Sequence, residues 1–239
     1  MKIINDFQKR WYSQVMTTLT ASFLQTTVES FRIFDKSYPN AIKNKSYYTL
    51  DETWRKRVGY KDKSDDPDFD SKCYFHYNVD MRAKPELVDN LMYQNFIINM
   101  QVIYDEFDSI LEQFLDECEQ KNVLKKSDFI RPDGTHNSLL RILNYKPKQS
   151  CNTLAKAHTD RWALTITIYE THGWLQFLSE WKWKDIHYES WIWNIFPGDD
   201  WVKVSNDDSI GTSHQVIKRW DNLERSAIVL FVNQLDYSQ

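Results

Sequence analysis

Three side chains in the second half of the sequence are of the types that bind a divalent metal ion: His158, Asp160 and His214. A His-x-Asp pair is common by chance in a chain with six histidines and 34 acidic residues, so its context has to decide the interpretation. Strand residues i and i+2 point to one face, so His158 and Asp160 on a strand could converge on one ion. His214, in the strand-like run from Gly211 to Ile217, would add a ligand from an adjacent strand. Two imidazoles and a carboxylate, with three positions left open, form the facial triad of non-haem Fe(II) oxygenases.

A hairpin predicted after His214 would bring Arg225 next to this metal ligand. If Val216 lies opposite Arg225, then Ala227 lies opposite His214, and Arg225 shares the face of that histidine. A guanidinium fixed at this point would bind a carboxylate through two parallel hydrogen bonds. The plain alternative is a surface strand residue that pairs with Glu224.

The elements that must position these residues are predicted to be short strands. After Gly134 the sequence consists of segments rich in β-branched and aromatic residues, separated by turn signals such as Pro197-Gly198. Strands at this spacing indicate a β-sandwich or jelly roll. The predicted strands are Leu139 to Tyr145, Trp162 to Tyr169, Trp174 to Leu178, Trp191 to Phe196, Trp201 to Ser205, Gly211 to Ile217 and Ser226 to Val232.

The first half of the sequence is predicted to be mainly helical. An apolar stripe at a spacing of four residues, which continues to Phe31, predicts one amphipathic helix through Phe7, Trp11, Val15, Leu19 and Phe23. Residues 35–84 look polar and irregular, and a long helix starting at Pro85, with a break near Asn95, follows. We therefore expect a single α+β domain over residues 1–239, in which a mainly helical portion, 1–125, buttresses a β-rich core, 138–233.

Composition excludes several classes of function. With five glycines, far apart, the chain contains neither a dinucleotide-binding glycine motif nor a P-loop. A net charge of −4 gives no basic footprint for nucleic acid, and no apolar run is long enough to span a membrane. The first residues lack the apolar core of a signal peptide, and the three cysteines are far apart, as in a reduced compartment. These features predict a cytoplasmic protein.

Short segments from Leu139 to Phe231 resemble the catalytic core of the isopenicillin N synthase-like superfamily of Fe(II)/2-oxoglutarate-dependent oxygenases. Each segment is weakly specific, but their common order and spacing make the resemblance strong. The helical first half is similar to the family's N-terminal portion, though less specifically. The matching segments are Leu140-Arg141-Ile142-Leu143-Asn144-Tyr145-Lys146-Pro147, Ala157-His158-Thr159-Asp160, Gly173-Trp174-Leu175-Gln176, Pro197-Gly198-Asp199, Ser205-Asn206, Ser213-His214-Gln215-Val216 and Glu224-Arg225-Ser226.

The resemblance implies a double-stranded β-helix (jelly roll) that carries Fe(II) on His158, Asp160 and His214. It also implies 2-oxoglutarate as co-substrate, with its distal carboxylate on Arg225 and with Asn144, Lys146 and Ser226 nearby, and O2 at the remaining metal position. In this family the co-products are succinate and CO2, and a C–H bond of a small molecule is oxidised. An aspartate ligand favours hydroxylation, desaturation or ring closure over halogenation.

The sequence departs from the family pattern at two positions near the co-substrate. The family has Arg-x-Ser, whose hydroxyl helps to hold the distal carboxylate, where this chain has Ala227. One lost hydrogen bond to a charged group is worth about 1.5–3 kcal/mol, so 2-oxoglutarate is expected to bind more weakly unless Thr165 or Thr167 substitutes. Lys146 stands where the family often has a tyrosine, and it would either pair with a carboxylate or extend to solvent.

Two further residues are candidates for substrate contact. Arg161 and Trp162 follow the ligand pair directly, and the one that faces inward would touch the substrate. Lys146 and Arg161 would favour a substrate with an acidic group. Two alternatives to the oxygenase stay open: an iron oxidase of the same fold that takes its electrons from the substrate, and a non-catalytic β-sandwich binding module.

Overall fold

The structure, a computed structural model, describes residues 12–45, 48–49, 57–64, 70–78, 91–146, 152–186, 188–206, 211–219 and 223–235. Its helices are α1 (Ala21–Ser37), α2 (Asn40–Lys45), α3 (Leu91–Gln120) and α4 (Trp201–Val204), with a 3₁₀ turn at Lys126–Asp128. Its strands are β1 (Ser13–Met16), β2 (Tyr48–Thr49), β3 (Arg57–Asp62), β4 (Lys72–Tyr77), β5 (Asn137–Tyr145), β6 (Thr153–His158), β7 (Leu164–Glu170), β8 (Leu175–Ser179), β9 (Lys182–Asp185), β10 (Ile192–Pro197), β11 (His214–Ile217) and β12 (Arg225–Asn233).

The strands form two antiparallel sheets. The large sheet has eight strands in the order β1-β10-β7-β12-β5-β4-β3-β2, and the small sheet has four in the order β6-β11-β8-β9. The two sheets meet through aromatic side chains such as Phe177 of β8 and Phe196 of β10, whose ring centroids lie 4.8 Å apart. The predicted α+β class and double-stranded β-helix core are confirmed.

Helices α1 and α3 cover the other face of the large sheet. Phe34 of α1 lies at their common contact, fully buried between Phe96 of α3 and Phe75 of β4, at centroid distances of about 6.1 Å from both rings. The apolar stripe of α3 is buried along its length, which keeps the sheet beneath it in place. No helix in the described residues has the length and apolar character needed to cross a membrane.

The predicted N-terminal helix is wrong at its start. Residues before Tyr12 lie outside the described part of the chain, and Val15 lies in β1, which pairs with β10. The helix begins only after Thr20, whose hydroxyl accepts a hydrogen bond from the Phe23 N–H and caps it. A spacing of four residues is two full periods of a strand as well as about one helical turn, so the stripe through Val15 fits both structures.

Three other predictions about elements need correction. The segment predicted as a strand from Trp201 to Ser205 contains the short helix α4, because its backbone N–H groups bond back to the preceding turn. Residues 35–84 are not simply irregular, since β3 and β4 extend the large sheet. Helix α3 runs without a break through Asn95, while its predicted start at Pro85 lies outside the described residues.

We predict that Phe34→Ala lowers the free energy of unfolding by about 3–5 kcal/mol, because it leaves a cavity between the helices and the sheet. Ile33→Ala is the matched control, since Ile33 is the preceding residue of the same helix and is 42% exposed. The control should change stability by less than about 0.5 kcal/mol. Urea unfolding monitored by circular dichroism measures both variants, and equal losses would contradict the proposed role of Phe34.

Candidate metal centre

Strand pairing in the small sheet brings two histidines together. β6 ends at His158 and β11 begins at His214, and the two residues are direct cross-strand partners. Their ring centroids lie 4.3 Å apart. His214 is buried, with Phe196 packed against its ring at 5.1 Å, whereas 45% of the His158 side chain is exposed. The pair therefore lies at the opening of the space between the sheets.

Asp160 reaches the same point from just beyond the end of β6. Its Oδ1 lies 3.7 Å from His158 Nε2, and its Oδ2 lies 3.6 Å from His214 Nε2. The prediction that His158 and Asp160 share one strand is wrong, since the strand ends at His158 and Asp160 follows in irregular backbone. The Thr165 hydroxyl donates a hydrogen bond of 2.7 Å to Asp160 Oδ2 and fixes the carboxylate.

Backbone carbonyls orient both imidazoles towards this common point. His158 Nδ1 lies 2.7 Å from the Lys156 carbonyl oxygen, and His214 Nδ1 lies 3.0 Å from that of Thr212. A carbonyl oxygen only accepts, so each Nδ1 carries a proton, and in the neutral form of either ring Nε2 is the nitrogen with the lone pair. Burial lowers the pKa of His214, which outweighs the opposite effect of Asp160 and favours the neutral, metal-binding ring.

These three residues form a donor set of two nitrogens and one oxygen. One ligand atom from each lies within 4.8 Å of the others, close enough to share an ion. Imidazole and carboxylate donors on one side of an ion, with the other side open, suit a first-row metal such as Fe(II). The chemistry and spacing of His158, Asp160 and His214 therefore fit the metal that the sequence resemblance implies.

A close backbone approach holds the Asp160 segment against the turn after β10. The Asp199 N–H donates to the Asp160 carbonyl oxygen at 2.7 Å, and the Gly198 N–H donates to that of Ala163 at 3.0 Å. A Cβ atom at Gly198 would lie 2.1 Å from the Trp162 carbonyl oxygen and 2.6 Å from that of Asp160. Only glycine therefore allows this approach without a backbone shift.

The three candidate metal ligands lie at a pocket between the two sheets. It contains about 640 Å³ of space outside protein atoms, part of it open to solvent. Alternate residues of β5, namely Arg141, Leu143 and Tyr145, line its floor, together with residues of β7 and β12. In β5 and β12 the alternation follows from the pleat, which turns every second side chain into the pocket. In β7 a register shift opposite Ile228 and Val229 interrupts it, so both Tyr169 and Glu170 line the pocket.

Arg225 lines this pocket, but the strand that carries it pairs with a different strand from the one predicted. β11 belongs to the small sheet and β12 to the large one, so the predicted hairpin pairing of Val216 with Arg225 is wrong. Arg225 instead pairs with Tyr145 of β5, and its guanidinium carbon lies 5.6 Å from the centroid of that ring. The chain passes from the small sheet to the large sheet between β11 and β12, and the Arg225 side chain still lies in the space between the two sheets.

Three residues predicted near the co-substrate do not line the pocket. Asn144 and Ser226 alternate with residues that do, and their side chains bond each other at 2.9 Å on the opposite face of the sheet. Arg32 of α1 donates to the Ser226 hydroxyl there. Lys146 follows β5 and pairs with Asp62 of β3 at 3.1 Å. The pleat turns all three away, which corrects their assignment to the co-substrate.

The two residues predicted to touch the substrate also lie elsewhere. Arg161 is exposed and is not among the pocket-lining residues. Trp162 is buried and stacks on Phe231 at a centroid distance of 5.5 Å, so it packs behind a pocket wall without reaching the pocket. The irregular backbone after Asp160 carries both side chains away from the metal ligands.

Sequence reasoning missed six polar residues that line the pocket: Lys72, Arg141, Tyr145, Tyr169, Glu170 and Tyr188. The alternation in β5 could have identified Arg141 and Tyr145 from the sequence. Each is two residues from Leu143, so all three side chains point to the same face of the strand. Glu170 and Tyr188 come from the end of β7 and from the segment before β10. Only the tertiary fold brings these two together.

No protein-family model and no curated protein matches the chain. Solved structures do match it, including a full-length protein of Neurospora crassa in complex with alpha-KG, with a TM-score of 0.75 and 19% identity over 97% of this chain and 78% of that one. The dioxygenase for auxin oxidation 1 of Arabidopsis thaliana, in a complex with 2-oxoglutarate, matches with a TM-score of 0.75 and 16% identity over 99% and 88%. The rice dioxygenase for auxin oxidation matches with a TM-score of 0.66 and 14% identity over 93% and 73%.

The chain has the fold of 2-oxoglutarate-binding dioxygenases. The resemblance drawn from the sequence is thereby confirmed at the level of the fold. At these identities the likeness carries no substrate from one protein to another.

We predict that Thr165→Val weakens Fe(II) binding by about 10–100-fold, because it removes the hydrogen bond that orients Asp160. Thr167→Val is the matched control: Thr167 also lines the pocket from β7, but its hydroxyl accepts from Asn194 and does not contact a metal ligand. Anaerobic titration with Fe(II), followed by tryptophan fluorescence, measures both affinities. Unchanged binding in Thr165→Val would show that Asp160 needs no such support.

Gly198→Ala should also weaken metal binding and lower stability by about 1–3 kcal/mol, because the new methyl group displaces the Asp160 segment. Gly173→Ala is its control, since a Cβ there meets only Tyr188 Cβ, at 3.7 Å. Thermal melts with and without metal separate the two effects. If metal raises the melting temperature of Gly198→Ala as much as that of the wild type, Gly198 is not needed to position Asp160.

Proposed function

We propose that this protein is an Fe(II)- and 2-oxoglutarate-dependent dioxygenase of the isopenicillin N synthase-like superfamily. It oxidises a C–H bond of a small organic molecule by hydroxylation, desaturation or cyclisation and yields succinate and CO2. The observation that carries the proposal is the convergence of His158, Asp160 and His214 within 4.8 Å at the opening of a jelly-roll pocket. The fold shared with 2-oxoglutarate-bound dioxygenases supports it.

The metal would be held by His158 Nε2, His214 Nε2 and one oxygen of Asp160. When bound, it supplies open coordination positions for the 2-oxo acid group of the co-substrate and for O2. Thr165 keeps one Asp160 oxygen occupied, and the carbonyls of Lys156 and Thr212 keep both rings in the metal-binding tautomer.

The distal carboxylate of the co-substrate would bind at the Arg225 end of the pocket. Ala227 provides no hydroxyl there, and the Thr165 proton is committed to Asp160. Thr167 accepts a hydrogen bond from Asn194 and keeps its own proton free to donate. Of the two threonines considered from the sequence, Thr167 is therefore the one able to replace the missing serine.

A second arginine favours a substrate with an acidic group. Arg141 is held between Tyr74 and Phe231, and its Nε donates to His76 Nε2 at 2.7 Å. Within the described residues it forms no salt bridge with a carboxylate, and burial lowers its pKa because the charge is poorly solvated. A carboxylate on the substrate would satisfy this cation, so we infer a small carboxylate-bearing substrate.

One observation favours a second candidate, an iron oxidase of the same fold that does not use 2-oxoglutarate. Arg225 is paired with Glu170, and so the co-substrate end of the pocket already holds a carboxylate. Added 2-oxoglutarate decides between the two, because only the dioxygenase converts it to succinate. A non-catalytic binding module, the remaining alternative, would not bind Fe(II) at the three ligands.

The cellular setting is also a proposal. Cys73 and Cys118 are buried free thiols, as expected of a protein in a reduced compartment, and this supports a cytoplasmic location. The net charge of −4 speaks against nucleic acid as a partner. We propose that residues 1–239 act as one oxygenase domain.

Two linked measurements test the function. Wild-type protein should bind Fe(II) under anaerobic conditions, and His214→Ala should weaken that binding by more than about 100-fold, because it removes a direct ligand. His172→Ala is the control, since His172 stacks on Trp174 and lies outside the ligand group. In air, with Fe(II) and ascorbate, wild type should convert 2-oxoglutarate to succinate, detected by mass spectrometry.

The possible outcomes separate the candidates. Fe(II) binding without succinate, over a panel of small carboxylic acids as substrates, would favour the oxidase. Equal Fe(II) affinity in wild type and His214→Ala would rule out the metal centre and favour the binding module.

A further inference from the structure

The Arg225 end of the pocket contains a buried ion pair that involves only one edge of the guanidinium. Arg225 Nε lies 3.1 Å and Nη2 lies 2.5 Å from the same oxygen of Glu170, Oε2. Both residues are buried, with exposed fractions of 4% for Arg225 and 6% for Glu170. The guanidinium nitrogen Nη1 takes no part in this pair. Glu170 therefore neutralises Arg225 without covering it.

A co-substrate with two carboxylates changes the charge balance at this point. Before binding, the buried pair is neutral. The distal carboxylate of 2-oxoglutarate would place a second anion on the same cation, and a buried net negative charge is strongly disfavoured. One proton on Glu170 restores neutrality and turns its carboxylate from an acceptor into a donor. Burial already raises the pKa of Glu170 more than Arg225 lowers it, which eases this protonation.

Among the described residues, the other charged and titratable groups of this pocket do not neutralise a second carboxylate at Arg225. Arg141 lies four strand positions along β5 from Tyr145, the partner of Arg225, and is held there by His76. Tyr169 of β7 is neutral, because burial raises its pKa. Tyr188, from the segment before β10, is neutral, and its pKa is raised by burial. His172, in the turn after β7, has its pKa lowered by burial and by Arg225, so it stays uncharged near neutral pH. Lys72 of β4 is near Tyr145 of β5, with its Nζ 5.4 Å from that ring, and it already pairs with Asp70 at 3.3 Å.

A buried hydroxyl beside the pair indicates that a ligand group belongs there. The Tyr188 Oη atom is inaccessible to solvent and faces the backbone N–H of Glu170, and within the described residues no group accepts its own proton. An unmade hydrogen bond at a buried hydroxyl is costly, so this donor is available for a carboxylate that enters the pocket. It lines the same pocket as Arg225 and Glu170, where Ala227 lacks the hydroxyl of the family pattern.

We propose that Glu170 is the specificity-determining residue for the co-substrate: while ionised it disfavours a 2-oxo dicarboxylic acid at Arg225, and such a co-substrate binds together with one proton. A 2-oxo monocarboxylic acid of similar length, such as 2-oxopentanoate, has a neutral distal end and binds without proton uptake. This inference rests on the proposed function, because both acids need the same metal. It predicts that 2-oxoglutarate binds more weakly as the pH rises, whereas 2-oxopentanoate does not.

Calorimetry on the metal-loaded protein tests the inference without turnover. Both 2-oxo acids are titrated anaerobically into the 239-residue protein saturated with Fe(II), at pH 6.5, 7.25 and 8, in two buffers of different ionisation enthalpy. Wild type should take up about one proton for each 2-oxoglutarate bound, and its affinity should fall by up to about tenfold for each pH unit. For 2-oxopentanoate both effects should be absent, which also controls for any titration of the metal ligands.

Glu170→Gln removes the competing charge and keeps the shape of the side chain. It should bind 2-oxoglutarate at least about tenfold more tightly than wild type at pH 8, without proton uptake, and should bind 2-oxopentanoate with wild-type affinity. Glu224→Gln is the control, since Glu224 precedes Arg225 in the sequence but pairs with Lys36 and Asn144 outside the pocket. Tyr188→Phe should weaken binding of 2-oxoglutarate and not of 2-oxopentanoate.

The outcomes distinguish this inference from the function on which it rests. Binding of 2-oxoglutarate to wild type without proton uptake and at the same affinity at every pH overturns the role of Glu170 and leaves the function standing. Weaker 2-oxoglutarate binding in Glu170→Gln also overturns it, because Glu170 would then only orient Arg225. If neither acid binds to the wild type or the variant, the proposed function fails together with the inference. The pH series uses wild-type protein, so it stands even if the variant does not fold.

Discussion

The pairing of β6 with β11 in one particular register is the constraint on which the candidate site depends. It sets His214 opposite His158, and a slip of one residue would turn one of the rings to the other face of the sheet. Each ring is then held by a carbonyl two residues earlier in its own chain segment. The third ligand, Asp160, depends on the end of the strand, on Thr165 and on the close approach at Gly198. The centre is therefore assembled from backbone geometry, with few side chains to support it.

The large sheet supplies the charges of the pocket and sets the distance between them. Its strands β5 and β12 run side by side, and the pleat points Arg141 and Arg225 into the same space from different positions along the strands. Arg225 is neutralised by Glu170, whereas Arg141 lies against aromatic rings and His76 and, in the part of the chain that the structure describes, has no salt bridge. This asymmetry gives the pocket two electrostatically different ends. If the proposed function holds, the carboxylates of the co-substrate and of an acidic substrate would bind at different ends of the pocket.

Local patterns along the chain are sufficient to predict some features of this protein and insufficient for others. The strand-rich second half and the grouping of His158, Asp160 and His214 could be anticipated, because strand composition and metal-binding side chains are properties of short segments. The helix predicted from the N-terminal apolar stripe was wrong at Val15, because a spacing of four residues fits a strand as well as a helix. The predicted hairpin of β11 and β12 failed because strands that are adjacent in sequence belong here to different sheets. The prediction wrongly placed three side chains in the pocket, those of Asn144, Lys146 and Ser226. Successive residues of a strand point to opposite faces, and these three lie on the face turned away from the pocket.

By itself, the sequence determined the class of fold, the three candidate metal ligands and the presence of an arginine at position 225, because each is marked by residue type and spacing along the chain. Only the tertiary structure decided which neighbours these residues have. The pairing of Glu170 with Arg225 joins positions 55 residues apart, and Tyr188 approaches from a third segment. Glu170 and Arg225 meet because β7 and β12, which are distant in sequence, pair side by side in the large sheet, and no local pattern in the chain encodes that pairing.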